Sequence, residues 1–194
     1  PPLFGRVLSD AQAVAGDSPE EPHLFDAAFD SASLRELCRE ARRSGGELIA
    51  AWWRRRDTAK GVEILWRARE LGWSERTREL LLRGRRRPDL FARLRRAEAD
   101  QWPALLAPAM EGLPMEGVLG AEGAERIREF VQAADRWTMD LAREARYVAF
   151  GPERVFGCLL GLEAEAFNMG VAVVGLANEV APDRLRRHLR ACYA

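Results

Sequence analysis

Residues 121–179 decide the fold, and they read AEGAERIREFVQAADRWTMDLAREARYVAFGPERVFGCLLGLEAEAFNMGVAVVGLANE. On either side of Phe150-Gly151-Pro152-Glu153, small or apolar residues recur at alternating steps of four and three, the spacing of helices that pack along a seam. The first stripe consists of Ile127, Val131, Ala134, Thr138, Leu141, Ala145 and Val148, and the second of Val155, Leu159, Leu162, Ala166, Met169, Val173 and Leu176. Because neither stripe is stable in water, the sequence predicts two long helices that fold back on each other as an antiparallel hairpin.

The first half of the chain predicts a similar pair of helices. Leu3 to Ala15 is a short amphipathic segment, and a longer helical pattern begins at Pro22. Ser44-Gly45-Gly46 ends that pattern, because glycine commonly follows the last turn of a helix. The partner helix is predicted over Glu47 to Leu71, with Gly72 as its C-terminal cap.

Shorter elements are predicted between these pairs. Ser74 begins a short helix that reaches Leu82, and Asp89 caps another over Leu90–Ala97. Residues 111–120 are rich in glycine and proline, which indicates a joint between a helical module over 1–110 and a second module over 121–194. No stretch shows sustained alternation of period two. The chain is therefore predicted to be all-α, with two repeated modules built on helical hairpins.

Composition narrows the classes of function. The 194 residues include 30 basic and 30 acidic side chains, and this zero net charge argues against a protein that mainly holds a polyanion. All the basic residues except Lys60 are arginines, which favours ion-pair networks on helix faces, although GC-rich coding produces the same bias. Cys38, Cys158 and Cys192 lack the spacing of a metal site and are interpreted as reduced, largely buried thiols.

Catalytic and cofactor motifs are missing from the sequence. His23 and His188 are the only histidines, and neither has the cysteines or acids at ligand spacing that would build a metal site. Neither the Gly-x-Ser-x-Gly motif nor the phosphate-binding Gly-x-x-x-x-Gly-Lys motif occurs. We therefore predict no catalytic, cofactor-binding or metal-binding residue, and no enzymatic activity of the chain itself.

Three polar residues of the second long helix are weighed separately. Glu163 and Glu165 flank the predicted seam on opposite sides, so they are interpreted as partners for Arg143 or Arg146 rather than as an acid and base pair. Asn168 lies off the seam, where its amide either bonds a neighbouring backbone group or partner, or is solvated. The back of the hairpin is predicted to be covered by a terminal helix over Pro182–Cys192.

Arginine clusters at 54–56, 83–87 and 93–96 offer an alternative function. They could form a surface for nucleic acid or another anionic partner. Acidic residues are interleaved at helical spacing, however, so a mutually neutralised outer face is favoured, and Arg54-Arg55-Arg56-Asp57 is interpreted as such a face. A stand-alone arginine-rich module that binds nucleic acid or another protein remains the alternative.

A family resemblance adds a role. The run Phe150–Ala194 resembles the last segment of the C subunit of archaeal and bacterial V/A-type ATPases, a relative of the eukaryotic subunit d. That segment has a phenylalanine-glycine-proline-glutamate turn, a helix with an acid-x-acid-x-x-asparagine pattern, a linker and a final amphipathic helix near an aromatic residue. In this chain the pattern falls on Gly151, Pro152, Glu153, Glu163, Glu165, Asn168 and Tyr193.

The resemblance extends to an internal repeat. A shift of 108 positions places Asp57 on Glu165 and Arg76 on Arg184, a match that coincidence between amphipathic segments explains as well. Members of the family are similar to three copies of a helical module, and Asp57-Thr58-Ala59-Lys60 resembles the motif of the middle copy, with Lys60 in place of asparagine. The resemblance covers about two of the three modules.

The resemblance implies a mechanical role. Such a subunit is a non-catalytic socket of the central stalk, which receives the axle subunit and sits on the membrane rotor ring. It would couple ATP turnover to proton or sodium transport without cofactors or nucleic acid. Its expected location is cytoplasmic and peripheral, on the inner face of the cell membrane, and we expect no transmembrane segment because no run approaches eighteen uncharged apolar residues.

Overall fold

The computed structural model describes residues 2–16, 22–43, 46–83 and 85–193. The α-helices are α1 (Pro2–Ala15), α2 (Pro22–Arg43), α3 (Glu47–Glu70), α4 (Glu75–Leu82), α5 (Pro88–Arg96), α6 (Trp102–Leu106), α7 (Glu116–Gly120), α8 (Gly123–Glu144), α9 (Pro152–Ala177) and α10 (Pro182–Arg186). Two 3-10 turns lie at Ala99–Gln101 and Ala145–Tyr147. The described ranges contain no strand, so the predicted all-α class is confirmed.

Helix ends follow the local chemistry of the chain. Gly72 has a φ of +66°, which suits glycine, and the Trp73 backbone N–H closes α3 by donating to the Ala68 carbonyl at 2.8 Å. The Ser74 hydroxyl accepts the Thr77 backbone N–H at 3.1 Å and so caps α4 as predicted. The predicted cap of α5 is wrong, because Asp89 lies inside its first turn. Residues 17–21, between the first two predicted segments, and residues 44–45, in the predicted break at Ser44-Gly45-Gly46, lie outside the described part.

Helix α3 lies at the centre of the molecule. Its buried residues point in several directions, and the helix packs against α2, α4, α5, α8 and α9. The largest core cluster joins α3 to α6 and α8, and in it the Trp66 ring lies 4.9 Å from the Trp102 ring and 4.7 Å from the Phe130 ring. A second cluster joins α3 to α1, α2 and α4 through Ala11, Leu24, Ala28, Ile64 and Leu81.

The stripe on α8 is mostly buried as predicted, but its main partner is α3 rather than α9. Arg55 of α3 donates to the Trp137 carbonyl at 2.8 Å, and its guanidinium lies 4.7 Å from the centre of the Trp137 ring. Arg56 binds the Asp135 carboxylate at 2.7 Å. The periodicity of α8 therefore identifies the buried face correctly, whereas the choice of partner depends on the rest of the chain.

Helix α9 contradicts the predicted seam. It meets the end of α8 and the Trp52 region of α3 through Gly157 and Leu160, and Gly161 and Ala164 are buried on the same helix. The predicted stripe, including Leu162 and Ala166, faces solvent instead. The face with the small residues is the buried one, because small residues let neighbouring groups approach closely. A Cβ on Gly157 would lie 2.7 Å from the Ala145 methyl group.

The predicted joint at 111–120 packs into the same core as α3 and α8. Leu113 and Val118 are buried in the largest cluster, and the Trp137 indole N–H donates to the Glu111 carbonyl at 2.9 Å. The division into two modules and the internal repeat stay predictions.

Candidate interaction surface

An apolar stripe of α9 is open to solvent. We call it the α9 stripe, and it consists of Val155, Leu159, Leu162, Ala166, Met169, Val173 and Leu176. Its members other than Ala166 are between 58% and 69% exposed. The stripe runs for about three heptads, roughly 32 Å of helix. A continuous apolar surface of this length is typical of a site that binds another protein.

The two glutamates of α9 flank the stripe as predicted, but their expected partners are engaged elsewhere. Arg143 binds Asp140 at 2.7 Å and the Cys192 carbonyl, and the Arg146 guanidinium lies over the Tyr193 ring. The Glu163 carboxylate has a distant contact with Arg190 at 3.7 Å. In the described part of the chain, Glu165 has no ion-pair partner.

Asn168 fastens the end of the chain to α9. Its amide N–H donates to the Arg190 carbonyl at 3.0 Å, and its amide oxygen accepts the Arg190 backbone N–H at 2.7 Å. Of the two alternatives for Asn168, the bond to a neighbouring backbone is therefore the observed one. The same Arg190 places its guanidinium 3.9 Å from the centre of the Phe167 ring.

The segment held by Asn168 covers one side of α9, but not as the predicted helix. We call residues 187–193 the C-terminal strap, because α10 ends at Arg186 and the strap then continues without helical structure. The Gln132 amide donates to the Arg187 carbonyl, and the Tyr193 side chain lies against Gly157 and Gly161. The strap thus lies between α8 and α9, and the α9 stripe faces solvent on the other side.

The turn before α9 sets where the helix begins. Gly151 has a φ of +124°, a conformation that other residues rarely adopt, and Pro152 occupies the first helical position. Glu153 lies in the first turn, where a negative charge is favoured by the helix dipole. These residues therefore shape the start of the helix, and a contact of theirs with a partner stays a prediction.

A comparison with protein families decides the identity. The family model described as "ATP synthase (C/AC39) subunit" matches residues 4–188. The chain belongs to this family. The resemblance to the C subunit of V/A-type ATPases is thus confirmed, and the chain is a subunit of that class of complex. Searches of curated proteins and of solved structures found no significant match.

In this C/AC39 subunit, the position of Asp57 corrects the sequence interpretation of α3. Asp57 is 1% exposed and the two arginines before it are half-buried, so only Arg54 of this polar segment lies on an outer face. Its carboxylate binds the Arg85 guanidinium at 2.6 Å and accepts the Arg86 backbone N–H at 3.3 Å. Burial raises the pKa of the Asp57 carboxyl, and the charge and hydrogen bond of Arg85 oppose this rise.

Arg85 is the residue that sequence reasoning missed. It stood within an arginine cluster expected to be solvated, yet its side chain is fully buried. It also donates to the Ser31 hydroxyl at 2.8 Å and to the Leu81 carbonyl at 3.3 Å. Burial lowers the pKa of Arg85, and the Asp57 charge opposes part of this decrease. The pair joins α2, α3 and the turn after α4, and no sequence signal separates Arg85 from its neighbours.

The other arginine clusters are only partly neutralised. Arg95 of α5 pairs with Glu75 and Glu79 of α4, a contact between two helices and not one of helical spacing within a single helix. Arg54, Arg86 and Arg87 line an open groove that also contains Glu111, and no ion pair joins these three arginines to another described residue. This groove is the part of the molecule that fits the alternative of an anionic partner.

The cysteines depart from the sequence interpretation. Cys38 is buried and its thiol donates to the Trp53 carbonyl at 3.4 Å, but Cys158 and Cys192 are exposed. Burial, with a smaller contribution from the Asp57 charge, raises the pKa of Cys38 to about 12. Among the described residues, no group of three or more histidine, cysteine, aspartate or glutamate side chains is placed to hold a metal ion.

Helix α9 also passes a test for membrane spans. Its most apolar 18-residue window has a mean hydropathy of 1.5, and 22% of that window is buried. The window contains both Glu163 and Glu165. One such helix is weak support for a span, because an apolar face that binds protein meets the same criteria of length and composition.

Proposed function

We propose that this chain is a non-catalytic central-stalk socket of a rotary V/A-type ATPase or ATP synthase, which links the axle subunit to the membrane rotor ring. The α9 stripe is the observation that carries the proposal. An apolar surface of about three heptads is unfavourable in water, so it indicates a constant protein partner. Family membership supplies the class of complex in which that partner is found.

The described fold suits a part that transmits force. Helix α3 is packed on several sides, and a single core cluster connects it to α6 and α8. Close-packed interiors have low compressibility and transmit strain. A torque applied at α9 would reach α3 through the cluster of Trp52, Leu141, Ala142 and Leu160. In this role the chain couples ATP turnover to proton or sodium transport and carries out no bond chemistry.

The proposed location is the cytoplasmic face of the membrane, with the chain peripheral to the rotor ring. Glu163 and Glu165 stand near the middle of α9. A charged side chain at the centre of a bilayer costs about 2.5–3.5 kcal/mol or more. This cost favours a protein partner over lipid as the environment of the α9 stripe.

Reconstitution with the purified rotor ring and axle subunit of the same complex tests the proposal. We expect stable association that Leu162→Asp and Met169→Asp weaken, because each places a charge on the α9 stripe. Val174→Asp is the matched control, since Val174 is 62% exposed on the same helix but lies off the stripe. Failure of the chain to bind either component would overturn the proposal.

An arginine-rich module that binds nucleic acid is the second candidate, because Arg54, Arg86 and Arg87 share a groove. It predicts retention on duplex DNA at low salt that weakens as salt rises. The variant Arg86→Glu/Arg87→Glu should abolish that retention, whereas Arg184→Glu, on the separate helix α10, should not. A gel shift without retardation of the wild-type chain removes this candidate.

A further inference from the structure

We infer that the α9 stripe takes one helix of a different polypeptide in a two-stranded coiled-coil contact, and that this helix carries lysine or arginine at the positions flanking its own apolar residues. The inference rests on the proposed function and specifies the chemistry of the partner. Its basis is the pattern of residues on α9 and the charges beside it.

The spacing of the stripe specifies the geometry of the partner. Val155, Leu162, Met169 and Leu176 occupy one heptad position, and Leu159, Ala166 and Val173 the other. This alternation keeps an apolar seam facing one partner helix over about three heptads. A sheet edge or an irregular loop would not match this repeat, whereas a second helix with the same repeat would fill it.

The flanks of the stripe specify the charge of the partner. On one side they are Phe156, Glu163, Gly170 and Ala177, and on the other Cys158, Glu165 and Ala172. The two glutamates are the only charged residues in these positions. Glu163 has the 3.7 Å contact with Arg190, and Glu165 has no ion-pair partner within the described residues. Flanking charges set partner choice in coiled coils, so basic residues complement this face.

A second copy of the chain fits this face poorly. In a symmetric antiparallel pair the same flank of each helix meets its copy, and the middle of the stripe lies between Glu165 and Ala166. The two Glu165 carboxylates would therefore face each other. In a parallel pair Glu165 would face Gly170 and Glu163 would face Cys158, which leaves both charges without a partner. Like charges placed opposite each other are destabilising, so a different chain is favoured.

Synthetic helical peptides test whether the α9 stripe of the full chain prefers a helix with basic flanking residues. The probe peptide has about three heptads with isoleucine and leucine in the seam and lysine in the flanks. The control peptide has the same seam and glutamate in the flanks. We expect the lysine peptide to bind about threefold to tenfold more tightly than the glutamate peptide. The variant Glu163→Lys/Glu165→Lys should reverse this order. A peptide with the lysine composition but a scrambled seam should not bind.

Variants of the chain test whether the peptide binds the α9 stripe or another part of the surface. Leu162→Asp should weaken the lysine peptide by more than about tenfold, and Val174→Asp should leave its affinity unchanged. All these side chains are exposed, so circular dichroism should show unaltered helix content. Sedimentation equilibrium should give a monomer. A dimer that Leu162→Asp dissociates would overturn the inference in favour of a second copy.

The remaining outcomes distinguish this inference from the proposed function. Equal affinity for the two peptides, or no binding of either at millimolar concentration, overturns the inference that the partner helix carries basic flanking residues. This holds even if the axle and ring assemble with the chain. Selective binding of the lysine peptide together with failed assembly overturns the proposed function and leaves this surface assignment standing. Binding of the lysine peptide that Leu162→Asp does not weaken shows a different site and overturns the inference.

Discussion

Helices α3 and α9 have similar lengths, 24 and 26 residues, and each carries an acidic residue that the sequence predicts at a family-motif position. In α3 the acid is Asp57, buried and paired with Arg85. In α9 it is Glu165, which is exposed. The comparison teaches that two acids with the same predicted motif position lie in different environments, Asp57 in the interior and Glu165 on the surface. Packing around each helix decides the environment.

Removal of Arg85 should have the largest effect on this comparison. Arg85→Ala leaves the Asp57 carboxylate buried without its cation, and we expect the free energy of unfolding to fall by about 3–5 kcal/mol in urea denaturation. The matched change on α9, Glu165→Gln, should alter it by less than about 0.5 kcal/mol. Equal effects of the two changes would remove the distinction between the helices.

The loss in Arg85→Ala should depend on pH. Without Arg85, only the smaller effect of the Arg35 charge opposes the rise that burial causes in the pKa of Asp57, so the folded state binds a proton more readily than the unfolded state. The free energy of unfolding then decreases as the pH rises from the unfolded pKa to the folded pKa. We therefore expect the deficit of Arg85→Ala to be largest at neutral pH and to shrink as the pH falls. A deficit independent of pH would show that lost packing, and not the unpaired charge, destabilises the variant.

Glycine substitutions should act in opposite directions on the two helices. The Phe91 ring lies against Gly61 of α3, where an added methyl group would collide with it. Gly61→Ala should therefore lower the free energy of unfolding by about 1–3 kcal/mol, less a small gain in helix propensity. Gly170→Ala on α9 meets no atom within 4 Å, and we expect a gain of about 0.5–1 kcal/mol. A stabilised Gly61→Ala would mean that α3 is less tightly packed than described.

Loss of the Asn168 amide should loosen one side of α9 only. Asn168→Ala removes both hydrogen bonds to Arg190, and we expect a loss of about 1–2 kcal/mol. Hydrogen exchange should become faster in the C-terminal strap and stay unchanged in α3. Asn178→Ala is the control, because within the described residues the Asn178 amide donates to the Val174 carbonyl of the last turn of α9 and not to the strap. Unchanged exchange in the strap would contradict its attachment through Asn168.

Thiol reactivity tests the comparison with the smallest perturbation, since no residue of the chain is substituted. At pH 8 a disulfide reagent should react quickly with Cys158 and Cys192, which are exposed. Cys38 should react only after unfolding, because it is buried beside α3 and its pKa is raised to about 12, so almost no thiolate forms. Three fast thiols in the native chain would contradict the packing of α2 against α3.

Particular elements show which features of the fold could be predicted from the sequence. The bounds of α3 and the stripe of α8 followed from helical periodicity, and the cap of α4 from Ser74. Periodicity fails on α9, because the regular stripe predicts a buried face and the structure exposes it. A heptad repeat states that a helix has one apolar side, but it does not state whether this chain or another one covers it.

The sequence by itself determined that the chain is all-helical, that it lacks the usual catalytic motifs, and that it resembles the C subunit family. These properties depend on local patterns, in which each residue constrains only its neighbours. The tertiary structure alone decided that Arg85 lies inside on Asp57, that α8 packs on α3, and that the α9 stripe faces solvent. Those outcomes depend on contacts between residues distant in the chain, for which a one-dimensional pattern contains no geometry.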